Sequence, residues 1–259
     1  MVDLWSSGTD YEPYVGRWSR LVAAEFVNWL GVPAGRRWVD VGCGTGALTN
    51  AVVTRCAPSE VLGVDPSEEH IAWAKAHQDD PRVAFKVGDV SALAGHVADV
   101  VVSGLVLNFI PDPAAAVSVM RATSPGGVVA AYVWDYAGRM ELMRHFWDAA
   151  VELDPAAASL DEGALFGVCR PDGLEDLWRD CGLVDVSTRA VDVPTVFRDF
   201  DDYWRPFLSG RAPAPAYAMS LDEGARQRLR EHLRARLPVA ADGSISLVAR
   251  AWAVRGRST

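Results

Sequence analysis

The chain has 259 residues, half of them apolar and 23% charged, which is enough to bury a core and excludes a disordered or collagen-like chain. Lysine plus arginine number 25 and aspartate plus glutamate 34, a net charge of −9, so nucleic acid is not an expected partner. The most apolar stretch, residues 97–111, contains Asp99 and falls short of the roughly 20 residues of a membrane helix, and MVDLWSSGTDYEP lacks the apolar centre of a secretory signal; a cytoplasmic protein with no membrane partner is expected.

In chain order, residues 37–41 (RWVDV) read as a strand entering a glycine loop, followed by a helix over 47–56. A second strand, 61–64, ends in Asp65. Residues 67–78 read as a helix, with Ser67 as its N-cap and Glu68 and Glu69 suited to its positive end. Strands follow at 82–87, stopped by Gly88-Asp89, and at 97–103. A helix at 113–122, with proline near its start, leads through Gly126-Gly127 into a fifth strand at 128–134. Repeated strand–helix–strand units imply right-handed crossovers and a parallel sheet with helices on both faces, whose ligands sit beyond the carboxyl ends of the strands.

The second half is less regular. Helices are expected at 140–153 and 172–181, the latter closed by Gly182, with a loop or short insertion at 154–171 between them. Residues 183–193 read as a strand, 197–210 and 221–237 as helices separated by RAPAPAY, and 244–254 as a final strand. The expected fold is one α/β domain over 1–259: a doubly wound, Rossmann-like, seven-stranded sheet, mostly parallel with an antiparallel C-terminal strand. Lid helices (1–35) precede the core (36–135), and helical cap insertions (136–182 and 194–240) surround C-terminal strands at 183–193 and 244–256.

Cys43, Cys56, Cys169 and Cys181 form no C-x-x-C pair, so neither a disulfide scaffold nor a metal site is expected. Lys75 and Lys86 are the only lysines, a bias that points to a GC-rich, bacterial source.

The strongest chemical signal is residues 39–46, VDVGCGTG. Glycines at alternate positions let the backbone turn sharply and approach a ligand, and Ala47 also completes a permissive dinucleotide fingerprint. Asp40 separates the two readings: a carboxylate beside the turn opposes a pyrophosphate and favours a ligand carrying an ammonium and a sulfonium. Asp65 can accept both ribose hydroxyls or cap the next helix, a role Ser67 already offers. Asp89 can accept from an adenine amino group or serve as an ordinary turn acid.

Taken together, VDVGCGTG, GVDPS, VGDV, ADVVVSGLVLNFIPD and SPGGVVAAYVWD, in that order over 37–135, resemble the class I S-adenosylmethionine-dependent methyltransferases. YEPYVGRWSR and DGSISLVARAWAVRG are similar to segments of small-molecule members of the quinone-biosynthesis type. The resemblance implies that Asp40, Gly42, Cys43, Gly44 and Gly46 hold the methionine and ribose portions of S-adenosylmethionine. It places Asp65 on the ribose and Pro66 on the adenine face, with Gly88, Asp89 and Val90 at the adenine edge. Ser103, Gly104 and Leu105 would border the amino group and the transferred methyl. In the family the segment before the first helix folds over the cofactor, so Tyr14, Arg17 or Arg20 would meet the methionine carboxylate. Where the family often has a histidine, this chain has Asn108, which removes that residue as a base.

The acceptor pocket is expected after the fifth strand and in the cap, at Asn108, Trp134, Trp147, Tyr203 and Trp204. His145, Tyr136 and Asp135 are the candidate catalytic groups, His145 having the natural pKa for a base. Trp38 and Trp252 are expected in the core. Arg226, Arg228, Arg230, Arg234 and Arg236 are expected on a solvated helix face, with Leu229, Leu233 and Leu237 inward. The implied activity is methyl transfer to a small organic acceptor, a secondary-metabolite or quinone-like aromatic, by a monomer or homodimer. Two other readings stand beside it: a nicotinamide-dependent oxidoreductase, which Asp40 and Gly88-Asp89 oppose, and a repurposed S-adenosylmethionine-binding protein that transfers no methyl.

Overall fold

The computed structural model describes residues 16–210 and 212–259. Helix α1 (Arg17–Leu30) precedes β1 (Arg37–Val41), α2 (Ala47–Cys56), β2 (Glu60–Asp65), α3 (Glu68–His77), β3 (Val83–Val87), β4 (Val100–Gly104), α4 (Pro113–Thr123) and β5 (Val128–Trp134). Then come α5 (Glu141–Leu153), α6 (Glu162–Leu165), α7 (Pro171–Asp180), β6 (Val184–Phe197), α8 (Phe200–Trp204), α9 (Pro213–Ser220), α10 (Glu223–Arg236) and β7 (Ile245–Arg257). The sheet order is β3-β2-β1-β4-β5-β7-β6; β1 to β5 pair in parallel, and β7 is antiparallel to both β5 and β6. Strand order reverses between β1 and β4, which puts the crevice for a ligand at their carboxyl ends.

The local chemistry expected of the first half is present. Ser67 Oγ accepts from the His70 N–H at the start of α3, and Asp112 Oδ1 accepts from the Ala115 N–H ahead of Pro113. The fourth strand begins at Val100 rather than 97, because Asp99 is held by the Arg37 N–H and guanidinium at the strand's entrance. β6 runs to Phe197, beyond the expected 193. Pro194, which has no N–H to donate, is tolerated because β6 is the edge of the sheet. The expected helix at 197–210 therefore shrinks to α8 and a 3-10 turn, Arg205–Leu208. RAPAPAY is largely helical as α9, its prolines lying in a first turn whose N–H groups need no intrahelical partner.

Trp38, Trp147 and Trp178 are fully buried, and the Trp178 indole N–H donates to the Val129 carbonyl at 3.0 Å. Trp252 is only half-buried, and the Arg250 guanidinium lies over its ring. On α10, Leu229 and Leu233 are buried while Arg226, Arg230 and Arg236 pair with Glu223, Asp201 and Glu152, so the basic stripe is a solvated face. All four cysteines are buried free thiols. Among the described residues no helix is long and apolar enough to cross a membrane.

Candidate functional site

At the end of β1 the chain enters a loop that only glycine fits. Gly42, Gly44 and Gly46 have φ of +71°, +52° and +90°. A Cβ on Gly42 would lie 2.6 Å from Val106 Cγ2, so the loop packs directly against the segment after β4. The Gly42 and Cys43 N–H groups both donate to the Val64 carbonyl, at 2.8 and 3.0 Å. Asp40 is wholly buried beneath this loop. Its Oδ2 accepts from the Thr49 hydroxyl at 2.7 Å, while its Oδ1 has no hydrogen-bond partner. Burial pushes its carboxyl up to about 7. The neighbouring Cys43 thiol is raised well above its ordinary value, first by burial and then by Asp40 and Asp65, so it is no nucleophile.

Asp65 ends β2 and ties two loops together. Its Oδ2 accepts from the Gly44 N–H and its Oδ1 from the Ser67 N–H, both at 2.9 Å, with His70 Nδ1 3.4 Å away. An ionised carboxylate has about four lone-pair sites, so acceptor capacity remains for a diol. Beyond β3, Gly88 leads into Asp89, which is exposed. Its Oδ1 accepts from the Ser91 N–H and hydroxyl, and those bonds hold the carboxyl below its usual range.

β4 and β5 finish the site with apolar groups. Leu105, just past β4, holds a left-handed φ of +62°, rare for a branched residue, and its N–H donates to the Tyr132 carbonyl at 2.7 Å. Gly104 has no room for a side chain, because a Cβ there would sit 2.6 Å from the Tyr132 hydroxyl oxygen. These elements enclose a cavity of about 710 Å³, within the usual range for small-molecule sites. Asp40, Asp65 and Asp89 line one end; Phe109, Trp134, Tyr136 and Met143 line the other. Phe166 packs against Phe109 and Tyr136 with ring centroids 5.8 and 5.5 Å apart, backing the aromatic end.

The expected residues Gly42, Cys43, Gly44, Pro66, Gly88, Val90, Gly104, Leu105, Trp134 and Tyr136 therefore meet on this wall with the three acids. Others do not reach it. Gly46 shapes the start of α2, and Ser103 donates its hydroxyl to the Val41 carbonyl inside the sheet. Arg17 is turned to Asp202, at 3.3 Å, and lies over the Trp18 and Phe197 rings; Arg20 is exposed. Neither lines the cavity, so neither is placed to meet a carboxylate there. Tyr14 lies outside the described residues.

The cap residues need a larger correction. Trp147 is a core residue whose indole N–H donates to Glu162 Oε2 at 2.6 Å. The Tyr203 hydroxyl donates to the Leu142 carbonyl, and Trp204 stacks on Phe200. Asn108 points its Nδ2 into the protein without a partner, off the cavity wall. His145 is off the wall as well, which places it away from a bound acceptor; burial lowers its pKa. Asp135 is buried and accepts from the Arg139 N–H at 2.9 Å, holding the turn after β5 rather than facing the cavity. Sequence reasoning overlooked Ser19, Thr45, His70, Phe109, Ile110, Tyr132 and Met143 on the wall. Phe109 and Ile110 lie within the segment that carried the resemblance, but nothing local marked them; Met143 arrives only through the packing of α5.

The wall fits S-adenosylmethionine. The unpartnered Asp40 Oδ1 suits a cationic group, Asp65 a ribose diol, and Pro66 and Asp89 an adenine face and edge. Residues 39–131 match the family described as "Methyltransferase domain". The chain is similar to trans-aconitate 2-methyltransferase of Methylobacterium radiotolerans, 31% identical over 61% of this chain and 65% of that protein. It is also similar to the ubiquinone biosynthesis O-methyltransferase of Methylococcus capsulatus, 39% identical over 37% of this chain and 42% of that protein. It thus spans less than two thirds of either relative. Among solved structures, the fold is that of the Haemonchus contortus phosphoethanolamine N-methyltransferase 2, solved with S-adenosyl-L-methionine: TM-score 0.57 at 16% identity, over 96% of this chain and 57% of that one.

Proposed function

We propose that this chain, whose residues 39–131 match a methyltransferase domain, is a class I S-adenosylmethionine-dependent methyltransferase that moves a methyl group from that cofactor to a small organic acceptor with an aromatic, quinone-like body. One observation carries the reading: a single cavity joins carboxylates at the ends of β1, β2 and β3 to aromatic rings beyond β4 and β5. The trans-aconitate and ubiquinone-pathway relatives support a small-molecule acceptor.

When bound, S-adenosylmethionine supplies a methyl group on a positively charged sulfur, a good leaving group. The chain's own part is alignment and exclusion of water. Asp40 would hold a cationic group near the loop through Oδ1, and Asp65 would accept from the ribose hydroxyls while fixing Gly44. Pro66, Asp89 and Val90 would receive the adenine. The carbonyls of the strained Gly104–Leu105 turn and the rings of Trp134 and Tyr136 would border the transferred methyl and keep water from it.

Calorimetric titration with S-adenosylmethionine, S-adenosylhomocysteine and NAD tests the cofactor. Binding of the first two alone is expected, and a preference for NAD would replace the reading with an oxidoreductase. Methyl transfer itself is tested by following S-adenosylhomocysteine release with a panel of phenols and quinols. Tight cofactor binding with no turnover on any of them would favour a repurposed binding protein.

A further inference from the structure

The cavity wall is lopsided in charge. Its charged side chains are the carboxylates of Asp40, Asp65 and Asp89, and no lysine or arginine among the described residues lines it. The segment after β5 carries two guanidinium groups, and both are engaged elsewhere: Arg139 with Asp192, and Arg144 with Asp161 at 2.8 Å. Of the 25 basic residues only Arg211 lies outside the described part; residues 1–15 contain Asp3, Asp10 and Glu12 and no lysine or arginine.

The sheet order separates the two ends. The carboxylates stand at the ends of β1, β2 and β3, on one side of the strand reversal. Phe109, Trp134, Tyr136 and Met143 stand beyond β4 and β5, on the other. Strands lie about 4.8 Å apart, so the aromatic end sits roughly 10–15 Å from Asp65. An anion placed there would lose its water, face the negative π-surfaces of the rings and find no lysine or arginine among the described residues to pair with. A neutral flat molecule meets none of these costs.

We infer that the acceptor binds as an uncharged molecule with an aromatic or otherwise flat apolar body, and that carboxylate-bearing acceptors are rejected. This rests on the methyltransferase reading. It separates the chain from the trans-aconitate 2-methyltransferase relative, whose named acceptor is a polyanion.

The test is calorimetric binding to the full chain saturated with S-adenosylhomocysteine, using matched pairs of probes: methyl 4-hydroxybenzoate against 4-hydroxybenzoate, and trimethyl trans-aconitate against trans-aconitate. At least one ester is expected to bind about tenfold or more tightly than its carboxylate, a difference of about 1.4 kcal/mol. Carboxylates that bind as tightly as their esters, or esters that fail to bind at millimolar concentration, overturn the inference alone. Failure of S-adenosylhomocysteine itself to bind overturns the methyltransferase reading beneath it.

Discussion

The Thr49 hydroxyl donates a 2.7 Å hydrogen bond to one oxygen of Asp40, and the other oxygen, buried under the glycine loop, has no partner. That arrangement makes cofactor affinity depend on pH. In the free protein burial raises the Asp40 carboxyl to about 7, so near neutrality it is partly protonated. A cationic ligand group favours the ionised form, so binding releases a proton below pH 7. Affinity for S-adenosylhomocysteine should rise with pH, by up to about tenfold per unit, and level off above pH 7. Asp40→Asn should weaken binding about tenfold or more and flatten that slope. Titrations in two buffers of different ionisation enthalpy count the proton directly, and an unchanged slope in the variant would assign the proton to another group.

Asp65 serves both binding and stability. It accepts from the Gly44 and Ser67 N–H groups at 2.9 Å, so removing it frees two backbone donors as well as the diol site. Asp65→Ala should lower stability by about 1–3 kcal/mol and abolish measurable cofactor binding. Asp65→Asn keeps the carbonyl acceptor but also adds donors, so it should recover part of the stability and little of the affinity. Urea denaturation paired with calorimetry separates the two effects. Affinity retained in Asp65→Asn would mean that the residue only braces the loop.

These two acids were legible in the sequence because each lies in the last residues of a strand, just before a turn, where local spacing determines position. The parallel sheet and the glycine loop were legible for the same reason. The cap was not. Trp147, Tyr203 and Trp204 are aromatic residues on helices, and whether such a ring faces a cavity or the core depends on which helix it meets. Trp147 went to the core because Glu162, from a segment read as a loop, supplies its indole acceptor. Phe166 stayed hidden for the same reason: it reaches Phe109 and Tyr136 only once the 154–171 segment has folded into short helical turns.

Glu162 should make the protein less stable as the pH rises toward neutrality. Burial lifts its carboxyl from 4.5 to about 7, against the bond from Trp147 that favours the ionised form. The unfolded chain loses this proton near pH 4.5 and the folded protein keeps it until about pH 7, so stability falls across that window and is level above it. Asp40 acts with the same sign, so the measurement belongs in an Asp40→Asn background. There, Glu162→Gln should flatten the remaining slope between about pH 5 and pH 7 and keep an acceptor for Trp147. Glu162→Ala should instead cost about 2–4 kcal/mol, through a cavity and an orphaned indole N–H. A slope that survives in Glu162→Gln would show that this carboxyl titrates alike in both states.

Arg144 should govern the aromatic end of the cavity without touching it. Its guanidinium donates to both Asp161 oxygens at 2.9 Å or less and to the Tyr136 carbonyl at 3.1 Å. It thereby clamps the turn bearing Tyr136 to the segment bearing Phe166, whose ring backs that tyrosine. The pair is shielded, with side chains 16% and 15% exposed, so its hydrogen bonds are worth more than those of a surface ion pair. Arg144→Ala should cost about 2–3 kcal/mol of stability and release the 161–169 segment, seen as faster amide exchange there. S-adenosylhomocysteine affinity should change less than threefold, because Asp40, Asp65 and Asp89 hang on β1–β3 and make no contact with the clamp. Binding of a neutral aromatic ester should weaken far more, since the rings that hold it are no longer fixed relative to one another. Arg144→Lys, which keeps the charge but loses the two-pronged grip on Asp161, should fall between, and equal losses of cofactor and ester would show that the clamp supports the whole cavity rather than its aromatic end.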